Sequence, residues 1–333
     1  MNRYSLLLLT LCWSVNVAAQ DVAAQKYASY VNKTEAYKHL SIIASDSFEG
    51  RETGTRGAQK AANYIADEFK KIGLSAPVSG SYFQNVPLKD TLLRAANVMG
   101  YLEGTDLKDE LIVISAHYDH IGMNASGSDK INNGADDDAS GTTAVLAMAN
   151  AYAQAKKDGK GPRRSILFLT LVGEEKGLLG SAWYADHPVF PLKNTITNLN
   201  IDMIGRVDPV HEKAPNYCYL IGSNKLSSDL HKISEQANTT YTKLNIDYKY
   251  NDPADPERIY YRSDHYNFAK HNIPVIFYFN GVHADYHKPS DEISKIRFDL
   301  LVKRAQLVFY TSWELANRDQ RPVVDVTKNM ADK

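Results

Sequence analysis

Residues 111–120 read Leu111-Ile112-Val113-Ile114-Ser115-Ala116-His117-Tyr118-Asp119-His120. The first six are continuously apolar or small, with no polar alternation. That pattern belongs to a strand buried on both faces, as in a parallel sheet covered by helices. The run then breaks into two histidines, a tyrosine and an aspartate. Ligands in open α/β sheets sit beyond the C-terminal ends of the strands. The stretch therefore predicts both the architecture and the edge on which chemistry should be sought.

Further apolar runs of strand length lie at 97–102, 165–172, 199–204, 216–221 and 273–279, with the quoted strand spanning 110–116. Helical segments are expected at 34–45, with Thr34 as N-cap, and at 58–72. In the second, Ala61, Ala62, Ile65, Phe69 and Ile72 share one face and Gly73 ends the helix. More are expected at 141–155, 178–185, 226–236, 263–270 and 298–315. Strands alternating with helices predict a three-layer α/β/α sandwich with a mainly parallel central sheet. No repeat or Pro/Gly-rich linker divides the chain. One domain over 34–318 is expected, after a polar lead at 20–33 and before a polar tail at 319–333.

The composition fits a soluble globular protein: 44% hydrophobic and 23% charged over 333 residues. Lys+Arg is 38 against 39 Asp+Glu, so no global basic field points to nucleic acid. Cys12 and Cys218 are the only cysteines, which excludes a disulfide-built scaffold. Asn2-Arg3-Tyr4, the apolar stretch 5–17 and Val17-Ala18-Ala19 read as a secretory signal peptide over 1–19. Leu11 stands where a lipoprotein signal wants a small residue, which disfavours anchoring through Cys12. After cleavage the chain keeps one cysteine and should be periplasmic or extracellular. No later stretch approaches the roughly 20 apolar residues of a membrane span. Cys218, inside an apolar run, is expected in the core.

Acidic residues and histidines recur where the other runs end. Gly134-Ala135-Asp136-Asp137-Asp138-Ala139-Ser140-Gly141 opens the Ala-rich helix. Gly173-Glu174-Glu175-Lys176-Gly177 follows one strand, Asp202 another, and Asp285-Tyr286-His287 lies beyond the last. Taken singly, each has an ordinary reading as a cap or turn former. Taken together, they crowd at least four carboxylates at one sheet edge, which is costly unless cations neutralise them. A histidine-plus-carboxylate set suits zinc. Composition does not choose among Asp136, Asp137 and Asp138.

These motifs, in this order and spacing, resemble the secreted co-catalytic dizinc aminopeptidases related to bacterial leucyl aminopeptidases. The resemblance runs over about 34–316 and includes Phe48-Glu49-Gly50-Arg51-Glu52-Thr53-Gly54-Thr55. It implies the phosphorylase/hydrolase-like zinc-peptidase fold and two Zn2+ ions per chain. His117 and Asp202 would hold one ion, Glu175 and His287 the other, and Asp137 would bridge them. Glu174 would be the general base, Asp119 would accept the second imidazole N–H of His117, and Tyr286 would stabilise the oxyanion. The substrate would be a peptide or protein N-terminus. Glutaminyl cyclase and carboxypeptidase are the alternatives on the same fold. A non-catalytic binding domain is disfavoured, because neither ligand nor base is missing.

His120, His187, His211, His231, His265, His271 and His283 are expected to be surface or structural. Ser263-Asp264-His265 invites a serine-hydrolase reading, but a Ser and a His two apart at a helix start do not face each other. Asp264 could instead shape the substrate site. Tyr217, Tyr219, Tyr260 and Tyr261 are expected to line the specificity pocket.

Overall fold

The structure is a computed structural model that describes residues 21–90 and 93–326. The expected signal peptide at 1–19 and the end of the expected tail lie outside the described residues. In chain order the elements are α1 (Val22–Ala28), α2 (Lys33–Ile43), α3 (Arg56–Ile72), β1 (Phe83–Val86), β2 (Ala95–Leu102) and β3 (Leu107–His117). Then come α4 (Ala139–Lys157), β4 (Arg164–Leu171), α5 (Leu179–Asp186), β5 (Thr195–Ile201), β6 (Tyr217–Ile221) and α6 (Ser228–Ala237). The chain closes with β7 (Asn245–Asp247), α7 (His265–Lys270), β8 (Val275–Phe279) and α8 (Phe298–Asn317).

The strands form one eight-stranded sheet in the order β1-β2-β4-β3-β5-β8-β6-β7. Its centre, β4-β3-β5-β8, is parallel, with Ile112 opposite Ile166, Ile114 opposite Leu199, and Leu199 opposite Ile276. Toward the edges β1, β2 and β6 pair antiparallel. The continuous apolar runs have a direct cause. Ile112, Ile114 and Phe168 face one core, shared with α2, α3, α4, α6 and α8. Leu111, Val113, Leu167 and Leu169 face a second core, shared with α5 and α7. Both faces are covered, so both sets of alternate residues are apolar. Cys218 is fully buried in the first core, as expected. No helix among the described residues is long and apolar enough to cross a membrane.

The termini of the elements depart from expectation in places. Asn32, not Thr34, caps α2, its side chain accepting from the Glu35 amide at 3.1 Å. Thr34 is already inside the helix. The segment expected as a polar lead carries α1, which buries Ala24, Tyr27 and Ala28. Asp21 caps this helix and accepts from Trp313 Nε1 at 2.8 Å, while Tyr27 stacks on Trp313. The short strands β1 and β7 were not expected. Gly73 ends α3 in the left-handed region (φ 87°), as expected.

Candidate metal centre

The central parallel strands deliver the site. His117 is the last residue of β3, and Asp137 lies in the turn before α4. Glu174 and Glu175 follow β4, Asp202 follows β5, and His287 lies in the loop beyond β8. Side chains spread over 171 residues of sequence, from His117 to His287, thus meet at one sheet edge.

Asp137 stands at their centre. Its Oδ1 is 3.3 Å from His117 Nε2, and its Oδ2 is 3.1 Å from His287 Nε2. Asp202 Oδ1 lies 3.6 Å from His117 Nε2, and Glu175 Oε2 lies 3.1 Å from His287 Nε2. Two ligands on one tetrahedral zinc, with bonds of about 2.0–2.1 Å, stand about 3.3 Å apart. The observed separations match that edge length. Asp137 Oδ2 and Asp138 Oδ2 are buried and accept no well-aligned hydrogen bond, so the pocket offers free acceptor oxygens to a cation. The donor set and its spacing fit two zinc ions.

The acidic triplet divides its tasks. Asp136 accepts from the Gly205 amide at 2.6 Å and faces His283 at 3.2 Å. Asp138 uses Oδ1 to cap α4 through the Gly141 amide and to accept from the Met203 amide. Asp138 still lies within reach of His117 and Asp202. Asp137 is the one member whose two oxygens face two different histidines.

The crowding leaves its mark on protonation. Burial raises the Glu174 carboxyl well above the usual carboxylate range; His117 opposes this, and the nearby Asp202, Asp264 and Glu175 add to it. Burial would lower the His117 imidazole, but Asp202 and Glu174 hold it well above its ordinary value. The site draws positive charge toward itself. Glu174 Oε2 lies 4.0 Å from His117 Nε2, beside the ligand cluster.

Asp119 supports His117 differently from expectation. The second imidazole nitrogen, Nδ1, lies 3.1 Å from the main-chain oxygen of Asp119, while the carboxylate is 3.6 Å away. The chain bends after β3, so the carbonyl reaches the ring first. The carboxylate instead accepts from Thr53 Oγ1 at 2.6 Å and from the Glu174 amide at 3.3 Å. Tyr286 stacks on His287 with ring centroids 3.9 Å apart.

His120 joins the cluster unannounced by the sequence. It is fully buried, and its Nδ1 is 3.0 Å from Glu175 Oε1 and 3.6 Å from Asp137 Oδ2. With Asp137, Glu175 and His287 it forms one of two groups whose ligand atoms lie within 4.8 Å of one another. Its spacing of three residues from His117 was the available signal. Arg51, which the sequence places in a motif without a role, braces the loops that carry the cluster. Fully buried, it donates to the carbonyls of Tyr118, Ile43, Asn133 and Gly134, tying the loop after β3 to the turn before α4.

Ser263-Asp264-His265 makes no catalytic triad. Ser263 Oγ donates to Asp202 Oδ2 at 2.7 Å. His265 packs against Phe277, and burial lowers its pKa to about 3. Asp264 is buried beneath the site, where loss of solvent pushes its carboxyl up to about 7. The cleft over the cluster is walled by Met203, Ile259, Phe277, Phe279 and Val282, with Arg262 and Tyr286 also lining it. The four tyrosines expected there are elsewhere. Tyr217 and Tyr219 are fully buried in the second core, because β6 lies outside β8 in the sheet. Tyr260 and Tyr261 flank the cleft residues Ile259 and Arg262 in sequence without lining it.

Comparison with known proteins agrees with this geometry. The sequence profile described as Peptidase family M28 matches residues 97–312. Aminopeptidase YwaD of Bacillus subtilis is 27% identical over 234 residues, covering 68% of this chain and 46% of that protein. The chain spans less than two thirds of the length of the first relatives it matches in sequence. Among solved structures, the LapA aminopeptidase of Legionella pneumophila superposes with a TM-score of 0.70 at 18% identity, covering 96% of this chain and 81% of that one. Glutaminyl cyclase of Bacteroides thetaiotaomicron superposes with a TM-score of 0.64 at 20% identity, covering 85% and 97%. The structural likenesses establish a shared fold.

Proposed function

The chain belongs to peptidase family M28, and from that premise we propose that it is an exported dizinc aminopeptidase. The observation that carries the reading is the split carboxylate of Asp137, with one oxygen toward His117 and the other toward His287. In this reading His117 and Asp202 would hold one zinc, Glu175 and His287 the second, and Asp137 would be shared between them. Bound there, the ions would polarise the scissile carbonyl and make water acidic enough to attack it. Glu174, beside the cluster, takes the proton from the attacking water and returns it to the leaving amine. Asp119 holds the Glu174 amide in place. Tyr286, lining the cleft, points to a hydrogen bond for the developing oxyanion.

The substrate is the N-terminus of a peptide or protein, as the name of the relative YwaD suggests. Export rests on the basic start, apolar core and small residues over 1–19. Glutaminyl cyclase shares the fold, but two separate groups of candidate ligands, one with His117 and Asp202 and one with Glu175 and His287, favour the two-ion hydrolase.

Purified Glu174→Ala is expected to retain about two zinc ions per chain and lose peptidase activity by at least about a hundredfold. Digestion of a peptide library, scored at both termini, should show loss of single residues from the N-terminus. A fully active Glu174→Ala protein would remove the base from this scheme. Release from the C-terminus, or cyclisation of Gln-initiated peptides without hydrolysis, would replace the reading itself.

A further inference from the structure

Arg262 stands in the cleft with no anion to meet. It lines the same depression as Asp137, Glu174 and Asp202. It is exposed, and among the described residues no carboxylate oxygen comes within 4.0 Å of its guanidinium. The other large cations of this face are engaged. Arg258 lies over the Tyr261 ring at 4.7 Å, and Lys225 over the Tyr260 ring at 4.7 Å. Arg206 pairs with Asp285 at 2.7 Å.

The backbone that carries Arg262 is held firmly. Its amide donates to the Ile259 carbonyl at 3.0 Å. The next residue, Ser263, is fully buried and hydrogen-bonded to Asp202. A guanidinium fixed at its base to the metal cluster, and free at its tip, has the form of a receptor for a planar anion. Arginine presents a fork of N–H donors that matches a carboxylate in two parallel hydrogen bonds. The remaining cleft wall is apolar, from Met203, Ile259, Phe277, Phe279 and Val282. Against such a wall a charge pair is partly desolvated and therefore discriminating.

We propose that Arg262 selects substrates by binding a carboxylate of the peptide whose N-terminal residue is removed. The inference rests on the aminopeptidase reading. Two sources share this chemistry: the side chain of an acidic first residue, and the terminal carboxylate of a very short peptide. The acidic cluster does not oppose such a ligand once two divalent ions balance it.

The experiment uses the zinc-loaded full-length protein and compares kcat/KM within matched pairs. The first arm sets Glu-initiated against Gln-initiated peptides with amidated C-termini. The second sets Leu-Ala against Leu-Ala amide. In the native protein the carboxylate member of one pair should be favoured by about tenfold to a hundredfold, the range of a hydrogen bond to a charged group. Preference in the first arm assigns the side chain, and preference in the second assigns the terminal carboxylate. Arg262→Met should collapse the favoured ratio toward unity, and Arg262→Glu should reverse it. The charge-conserving Arg262→Lys, which lacks the planar fork, should keep part of it. Equal rates within both pairs, or a preference that survives in Arg262→Met, overturns the inference while leaving the aminopeptidase reading intact. If no N-terminal residue is released from any peptide, the underlying reading fails instead.

Discussion

Ser263 Oγ donates a 2.7 Å hydrogen bond to Oδ2 of Asp202. Because Asn200 Nδ2 donates to the same hydroxyl at 2.8 Å, the single serine proton is committed to Asp202. The carboxylate is thereby turned so that Oδ1 faces His117. Residues that orient a metal ligand in this way typically contribute a factor of about 10–100 in affinity. Ser263→Ala should therefore weaken zinc at the His117 position by about tenfold, with unchanged circular dichroism. Competition against a chromophoric chelator measures it, and native affinity in the variant would deny Ser263 this role.

His120 provides a contrasting case on the other half of the cluster. Its ring is buried beside Glu175 and Asp137, edge-on to His287 at 5.6 Å. His120→Ala is expected to lose zinc from the His287 position first, with an affinity loss of about 10–100-fold. Dialysis followed by metal analysis should find close to one ion per chain where the native protein keeps two. Retention of both would mean that the imidazole only fills space.

Arg51 predicts a stability effect that reaches the site. Its four carbonyl partners are buried; the Gly134 carbonyl also accepts from the Ala139 amide, but removal of the guanidinium takes away the donor that Tyr118, Ile43 and Asn133 receive from this side chain. Each unsatisfied buried acceptor costs about 1–3 kcal/mol, softened by relaxation and water entry. Arg51→Met should lower unfolding stability by about 3 kcal/mol or more in urea titration. A loss below about 1 kcal/mol would show that other groups or water replace these bonds.

His39 predicts a pH dependence away from the metal ligands. Burial, aided by Lys38, lowers its pKa from 6.5 to about 4, against the pull of Glu68 and Glu35. The unfolded chain therefore binds a proton between these values and the folded chain does not. Stability from this group is fully present above about pH 6.5 and is lost as pH falls toward 4. Between pH 7 and pH 5 it amounts to about 2 kcal/mol. His39→Gln should lack this component, so the difference between native and variant stability should shrink by that amount on acidification. A constant difference from pH 7 to pH 5 would contradict the assignment.

The strands that carry the cluster were legible because burial on both faces leaves no ambiguity in sequences such as Leu111-Ile112-Val113-Ile114. His117, Glu174, Glu175 and Asp202 of the cluster were legible because they stand at or just after the ends of those strands. What was hidden depended on weaker or longer-range signals. β1 and β7 hold four and three residues, and Gln84, Asn85 and Asn245 give them no apolar signature. The faces of α1 became meaningful only against Trp313, nearly 300 residues away. His120 escaped because a buried core histidine and a histidine of a carboxylate cluster look the same in sequence. Tyr217 and Tyr219 lie in the core rather than the cleft because sequence distance does not reveal that β6 packs outside β8.

The strand order also apportions the cluster in time. His117, Asp137, Glu174, Glu175 and Asp202 all precede β6, whereas His287 follows β8. As the chain emerges during synthesis, one half of the metal pair can assemble on β3, β4 and β5 alone. The other half must await the final third of the protein. Because metal binding free energy is folding free energy, the two ions would do unequal work. One would consolidate a nucleus within the early chain, and the other would act as a clasp fastening the late β6–β7–β8 segment to it. Stripping zinc should therefore loosen the later part of the sheet before the earlier part.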